Sequence, residues 1–451
     1  MILLSFLFWL GLGIPVAWSF YNRRRVGLAM AMIPLAGLSA IAFALMIAVG
    51  VPAWLVYWPQ LAVLVSAIQG VLTWWLLRGL PVWNPRVPGV MSAKGDASIS
   101  TVFGIWFGLN VGIGVFLAAG RSAYGWDGYM IWVLHAKVFA ESQVLPVSLF
   151  SEPELALSHW DYPVLFSGFL GWFMRVGDVS VDRLALPLGV LIGMLPLVQL
   201  AGCRGVIRHR SAAILGLCPL LVLGLIDLHH DAYADPLLTV FVLMAFVWGS
   251  LGLWTDDKAL QFAAGLVMVL AVLTKNEAIL WLLALGGGLL AQAVLMRKPV
   301  HKAVASVIRV TLPGLCVFLI WRLQCRVLGV DNDVTSGLQW GDAAERVGVV
   351  ASAVAGYVFT LDHVLLIVIA VGLIVWAISG SVARKAMALL GWLFVPIAMV
   401  VGMSLVYIGT PHDVNWHLET SLDRTFSGIV PAMLIAGVLA VVTRDPDGEK
   451  Q

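Results

Sequence analysis

The feature that most constrains this chain is a series of apolar runs of roughly 18–25 residues that recur from end to end. Each run is long enough to cross about 30 Å of hydrocarbon as a helix. Charged residues make up 12% of the 451 positions, whereas a soluble domain carries about 25%. Because only helices and closed barrels satisfy their backbone groups within lipid, these runs predict an all-α polytopic membrane protein.

The basic residues predict how the chain is threaded through the membrane. Lys and Arg are concentrated in five segments, which read "YNRRR", "RGLPVWNPRVPGVMSAKGD", "CRGVIRHR", "MRKPVHK" and "VARK". By the positive-inside rule all five are cytoplasmic, with the N-terminus outside and the C-terminus inside. About 13 transmembrane helices are predicted, at 2–20, 26–49, 57–78, 99–119, 181–202, 211–227, 237–254, 260–273, 277–295, 303–323, 362–381, 386–408 and 426–442.

Two further apolar stretches, 163–176 and 346–360, would break the alternation of sides if they crossed the membrane. We therefore predict that both are interfacial or re-entrant juxtamembrane helices on the outer face. The outer loops then hold most of the acidic and histidine residues, which indicates chemistry on that face. These loops are 50–56, 120–180, 228–236, 274–276, 324–361 and 409–425.

Charge and cysteine usage exclude some classes of function. A net charge of +2, with no large basic patch, argues against a nucleic-acid partner. The four cysteines lack the paired spacing of a metal site and do not form a disulfide framework.

The first large outer loop carries two motifs that place an aspartate among aromatic residues. In "YGWDGYMIW" Asp127 is near the start of a predicted interfacial helix, where it is either a helix cap or dipole partner, or a general base. In "SHWDYPVL" His159, Asp161 and Tyr162 precede Pro163. The alternative for this second motif is a capped helix entry with solvated polar groups, since proline suits the first helical position.

The next outer loop reads "IDLHHDAYADPLLT", in which Asp231 and Asp235 flank Tyr233. Two histidines and three carboxylates could form a metal site. An Asp-Pro pair at a helix start is also ordinary capping chemistry.

A short hairpin, "VLTKNEAILW", places Lys275 and Glu277 within nearly continuous apolar sequence. A lysine at the outer boundary suits the phosphate of a lipid. Its alternatives are extension of the ammonium to the headgroups or pairing with Glu277.

The loop before the last helix, "PHDVNWHLETSLDRTFSGIVP", contains His417 and Arg424. An outer arginine opposes the positive-inside trend, which favours a role in anchoring a lipid phosphate. The alternative is an ion pair with Asp423 or Glu419.

In their order, these motifs resemble those of the GT-C type of polyprenyl-phosphate-sugar-dependent glycosyltransferases, which include protein O-mannosyltransferases and bacterial aminoarabinose transferases. The resemblance rests on "WDGYMIW", "HWDYP", "YADP", "LTKNEA" and "WHLETSLDRT", and it covers about residues 99–442. Three predicted helices precede this region, where many members of the family have one.

The resemblance implies a GT-C-like catalytic module at 99–442, preceded by transmembrane helices at 1–98 and followed by a cytoplasmic tail at 443–451. The donor would be a polyprenyl-monophosphate sugar, and the acceptor a glycan, lipid or protein on the outer side of the inner (plasma) membrane. Asp127 would be the general base, and Lys275 and Arg424 would bind the donor phosphate. The implied substrate pocket contains His159, Asp161, Tyr162, Asp231, Asp235, Glu277 and His417.

The resemblance assigns no metal ligand and leaves dependence on a divalent cation open. Direct displacement at the anomeric carbon predicts inversion. A lipid-linked saccharide transporter or flippase is the alternative class, although transporters usually show repeated halves and sites near the midplane. A ligase or polymerase that uses lipid-diphosphate donors would need similar outer cations and a base.

Overall fold

The protein is helical throughout the part of the chain that the structure describes. The computed structural model describes residues 1–23, 25–50, 58–80, 96–120, 125–142, 147–152, 155, 158–203, 231–332, 337–379 and 383–442. A π-helical turn (Gly128–Val133) leads into α5, and 3₁₀ turns cover Val147–Ser151 and Val181–Arg183. The helices are α1 (Ile2–Tyr21), α2 (Val26–Gly50), α3 (Trp58–Leu77), α4 (Asp96–Gly120), α5 (Leu134–Glu141), α6 (Leu165–Gly177), α7 (Ala185–Cys203), α8 (Asp235–Trp254), α9 (Lys258–Thr274), α10 (Ala278–Leu295), α11 (Val300–Val327), α12 (Ala343–Val358), α13 (Leu361–Ser379), α14 (Ala383–Gly409), α15 (Val414–Phe426) and α16 (Ile429–Val442).

The lengths of these helices confirm a polytopic α-helical membrane protein but not the predicted count of 13 crossings. Within the described ranges, nine helices are long and apolar enough to cross a membrane, or ten if one bent pair counts as a single span. Two predicted crossings correspond to shorter apolar helices, at Gly104–Ala119 and Lys258–Thr274. The predicted crossing at 211–227 lies outside the described residues.

The two stretches predicted to be juxtamembrane helices are both helical. Helix α6 has 13 residues and α12 has 16, which at about 1.5 Å per residue gives less than the ~30 Å of a hydrocarbon core. A bend of 75° separates α12 from the helix that follows it, as in a broken span or a re-entrant loop. One detail of the prediction was wrong: α6 begins at Leu165 behind Val164, so Pro163 is not its first helical residue.

Helix α8 lies in the core, and all 20 of its residues are buried. It is apolar on every side, which is typical of a helix enclosed by other helices. Helix α9 returns antiparallel to α8, so this pair defines two ends of the bundle. We call the end with the start of α8 and the end of α9 the Lys275 end, and the opposite end, where the chain turns between the two helices, the Asp257 end.

Candidate functional site at the Lys275 end

Two of the basic segments predicted to be cytoplasmic lie at one end of the α8–α9 pair, and residues of the predicted outer loops lie at the other end. At the Asp257 end, Arg25 contacts Asp257 at 2.5 Å, and Lys298 contacts Asp256 at 2.7 Å. At the Lys275 end, side chains from four predicted outer loops come together, namely Asp127 and Asp161 of loop 120–180, and Asp235, Lys275 and Arg424 of three others. Within the described residues these side chains therefore lie at one end of the helix pair, and the side of the membrane that this end faces stays a prediction.

Lys275 lies at the centre of a buried group of charges at this end. Its Nζ atom is 2.9 Å from Asp235 Oδ1 and 2.9 Å from Glu277 Oε1. We call these three residues the Lys275 triad. Ala234 is the N-cap of α8, so Asp235 belongs to the first turn and pairs with Lys275 rather than acting as the predicted cap. Burial lowers the pKa of Lys275, but the two carboxylates outweigh it and the net effect is a pKa well above the ordinary value.

Asp127 and Arg424 form an ion pair between segments far apart in the sequence. Arg424 Nη1 donates to Asp127 Oδ2, and Arg424 Nη2 donates to the Thr420 carbonyl oxygen at 2.7 Å. The Asp127 side chain makes no capping hydrogen bond to the helix that follows it, so the capping interpretation is wrong. The guanidinium also lies 4.9 Å from the centre of the Tyr233 ring, a cation–π distance.

The π-helical turn after Asp127 fits closely against the loop before α8. A Cβ atom at Gly128 would lie 1.8 Å from the Asp231 carbonyl oxygen, so only glycine permits this approach. Tyr233 packs in the same way against Gly125, and burial, followed by the charge of Asp127, raises the pKa of the Tyr233 hydroxyl. This close contact holds the π-helical turn, and with it Asp127, against the loop that carries Tyr233, and it brings the Asp231 backbone next to the turn. Turns of this kind often occur at functional sites.

Asp161 is almost completely buried and holds three segments together. Its Oδ2 atom accepts hydrogen bonds from Asn276 Nδ2 and Asn332 Nδ2, both at 2.6 Å. Arg322 lies 3.7 Å from the same oxygen, and the Asp161 carbonyl oxygen accepts from Trp321 Nε1 at 2.8 Å. Because Asn276 lies between Lys275 and Glu277 in the chain, its bond to Asp161 helps to fix the position of the Lys275 triad.

Tyr162 forms an aromatic wall next to the triad. Its ring stacks on Trp132 with centroids 5.1 Å apart, and Lys275 Nζ lies 5.4 Å from the ring centre. Burial raises the pKa of the Tyr162 hydroxyl well above its ordinary value, and the charge of Glu277 adds to this. His159 has a positive φ of 51° and its ring lies 5.4 Å from Tyr162, so both predicted pocket residues belong to this wall.

His417 lies on α15 and faces α14. Its Nδ1 atom is 2.8 Å from Thr410 Oγ1, and its ring lies 4.8 Å from that of Tyr407. The Tyr407 hydroxyl in turn bonds to Ser421 and Thr425 of α15. These contacts fix the position of α15, which carries Arg424, so His417 helps to hold the ion pair in place.

Sequence reasoning missed Asn276, Trp321, Arg322 and Asn332. Asn276 stands between the two residues singled out in "LTKNEA". Arg322 could have been found by the signal that identified Arg424, since it also lies at a predicted outer helix end against the positive-inside trend. Nothing in the local sequence around Asn332 points to a partner 171 positions away.

Within the described ranges, no group of three or more His, Cys, Asp or Glu side chains is arranged to hold a metal ion. His229 and His230, which belonged to the metal alternative, lie outside those ranges. Lys275 occupies the space between Asp235 and Glu277, where its positive charge opposes a cation.

Comparison of the chain with protein-family models, with curated proteins and with solved structures gave no match.

Proposed function

We propose that this chain is an integral-membrane glycosyltransferase of the GT-C type, which moves a sugar from a polyprenyl-monophosphate donor to an acceptor at the Lys275 end. The observation that carries the proposal is the direct contact between Asp127 and Arg424. It places a proton acceptor and a phosphate-binding cation side by side, the two groups that this displacement requires.

Arg424 is the better anchor for the donor phosphate. The charge of Lys275 is already matched by two carboxylates at 2.9 Å, whereas Arg424 makes one ion pair and its side chain is 18% exposed. A guanidinium also binds phosphate oxygens in a bidentate manner, which an ammonium cannot do. Lys275 then has a positioning role, since it holds Asp235 and Glu277 in place.

The ion pair suggests how the donor prepares the base. A phosphate that enters the site competes with Asp127 for the Arg424 guanidinium, and this leaves Asp127 Oδ2 available to the acceptor hydroxyl. The acceptor oxygen then forms a bond to the anomeric carbon while the bond from that carbon to the phosphate oxygen breaks. The hydroxyl proton passes to Asp127, the bonding electrons leave on the lipid phosphate, and the configuration is inverted.

The proposed location is the inner (plasma) membrane, with the Lys275 end on the outer face, the N-terminus outside and the C-terminus in the cytoplasm. The support is the positive-inside distribution of Lys and Arg, together with the meeting of Arg25 and Lys298 at the opposite end. A lipid donor can reach the Lys275 end from the outer leaflet.

The direct test is to incubate the purified full chain with radiolabelled polyprenyl-phosphate sugars and extracted envelope glycans and lipids. We expect both free polyprenyl phosphate and a labelled glycosylated product with at least one donor. Vesicles that carry the chain and accumulate or translocate a lipid-linked sugar without releasing polyprenyl phosphate would instead identify a transporter.

A further inference from the structure

Three buried oxygen atoms at the Lys275 end receive no hydrogen bond from any described residue. They are Asp235 Oδ2, Asn276 Oδ1 and Glu277 Oε2. The Asp235 side chain is only 4% exposed and that of Glu277 24%. Buried polar atoms are nearly always hydrogen-bonded, and an exception calls for an explanation.

Each of these oxygens belongs to a side chain whose other polar atom is already engaged. Asp235 and Glu277 use their second oxygens to bind Lys275. The Asn276 amide is oriented by Asp161, because only its Nδ2 group can donate to that carboxylate. The three side chains are therefore fixed, and their remaining acceptors cannot be satisfied by a simple rotation.

The chemistry of these atoms defines what they bind. All three are acceptors, and the Lys275 triad, with two carboxylates and one ammonium, has a net charge of −1. A phosphate offers further acceptors and negative charge, so it is excluded from this position. The ammonium between the carboxylates disfavours a divalent cation. A ring with several hydroxyl groups supplies the several uncharged donors that three acceptors need.

We propose that Asp235, Asn276 and Glu277 form a subsite for the sugar ring of the donor, in which their free oxygens accept hydrogen bonds from sugar hydroxyls. The inference rests on the proposed function and deepens it, since it separates recognition of the sugar from recognition of the phosphate by Arg424. The subsite then determines which sugar is accepted, because a hydroxyl that is missing leaves a buried acceptor unpaired.

The test compares the thermal unfolding of the full chain with decaprenyl phosphate alone and with decaprenyl phosphate that carries mannose, glucose or arabinofuranose. In the wild type, at least one glycosylated lipid should raise the Tm by several degrees more than the bare lipid, because its extra contacts stabilise the folded state. Equal shifts for the bare lipid and for all three glycosylated lipids would overturn the subsite.

Two isosteric variants locate the effect. Asp235→Asn and Glu277→Gln each keep one oxygen for Lys275 and turn the free acceptor into an amide donor. Both should respond to decaprenyl phosphate like the wild type but lose the additional shift from the sugar. Asp257→Asn, a buried carboxylate at the opposite end, is the matched control and should keep it. If both subsite variants retain the full sugar-dependent shift, the subsite is wrong.

Measurements of transfer separate this inference from the proposed function. When a monodeoxy donor that lacks a bound hydroxyl replaces the parent donor, kcat/KM of the wild type should fall about tenfold. In Glu277→Gln, which has already lost this hydrogen bond, the same change of donor should lower kcat/KM by less than about twofold. A sugar-dependent Tm shift without any transfer would refute the transferase and keep the subsite. Transfer with unchanged discrimination against deoxy donors in both variants would refute the subsite and keep the transferase.

Discussion

Asp257 and Asp235 are two buried carboxylates at opposite ends of the same helix pair, and they are used in different ways. Asp257 Oδ1 accepts the backbone N–H groups of Ala259 and Leu260 at 3.1 and 3.2 Å, and its Oδ2 pairs with Arg25. Both oxygens of Asp257 thus have protein partners: Oδ1 caps the start of α9, as expected of an N-cap, and Oδ2 binds Arg25. Asp235 uses one oxygen for Lys275 and leaves the other without a protein partner.

The lysines at the two ends, Lys298 and Lys275, also differ in how far their charges are balanced by their partners. Lys298 binds Asp256 at 2.7 Å and the Leu253 carbonyl oxygen at 2.8 Å. It therefore donates to a carbonyl at the C-terminal end of α8 and also balances the charge of a carboxylate. Lys275 binds two carboxylates and leaves an excess of negative charge. Unsatisfied buried groups cost stability and are tolerated where function requires them. The charged groups at the Asp257 end are satisfied within the protein, whereas those at the Lys275 end are not, as the proposed binding role requires.

The largest difference between the two ends is expected when the proposed base is removed. Asp127→Asn should reduce kcat for sugar transfer by about 10²–10⁴-fold, the contribution typical of general acid–base catalysis. It removes the proton acceptor but keeps an oxygen that can contact Arg424. The measurement is the rate of polyprenyl-phosphate release at saturating donor.

Two control variants accompany this prediction. Glu141→Gln changes an exposed carboxylate of α5, in the same predicted outer loop, and Asp257→Asn changes the opposite end. Both should keep kcat within about twofold, since neither side chain touches the site, although Asp257→Asn should also lower the Tm through the loss of charge at a helix cap. A normal kcat in Asp127→Asn would eliminate the base assignment.

A smaller effect is expected when Arg424, which is proposed to bind the phosphate, loses its parallel pair of N–H donors. Arg424→Lys keeps the positive charge but not the bidentate geometry, and it should raise the apparent KM for the donor by about tenfold. The KM for the acceptor should change much less, because in the proposed site Arg424 binds the phosphate and not the acceptor. Steady-state kinetics with each substrate varied in turn measure both constants.

The matched change at the other end is Arg25→Lys, which alters the ion pair with Asp257. It should leave both KM values unchanged and affect only the unfolding temperature. Equal effects of the two variants on the donor KM would mean that Arg424 acts through stability and not through binding.

Much of the fold follows from the sequence because hydrophobic runs specify membrane helices locally. The predicted runs 2–20 and 277–295 correspond to Ile2–Tyr21 and Ala278–Leu295. The number of crossings was harder to predict, because a run such as Lys258–Thr274, with 17 residues, lies near the lower limit of spanning length. Length alone does not decide whether such a helix crosses the membrane.

The site was only partly predictable because its contacts join distant segments. Asp127 and Arg424 were each identified from composition and position, but the ion pair between them spans 297 residues and leaves no local signature. Asp161 was predicted as a pocket residue, yet its two asparagine partners carry no charge and looked unremarkable in the sequence. Ionisable residues are conspicuous in apolar sequence, whereas the neutral residues that orient them are not.

The mildest test asks which side of the membrane each end faces. Glu141 is 64% exposed and Asp256 is 60% exposed, so a thiol at either position is accessible, and neither Glu141→Cys nor Asp256→Cys should alter transfer. Asp256→Cys should lower the Tm, because it removes the ion-pair partner of Lys298. In cells that produce a variant without the four native cysteines, a membrane-impermeant maleimide should label position 141 directly and position 256 only after permeabilisation. If the impermeant reagent labels both positions, the two ends do not lie on opposite sides. If it labels only position 256, the Lys275 end faces the cytoplasm, and a donor in the outer leaflet could not reach Arg424.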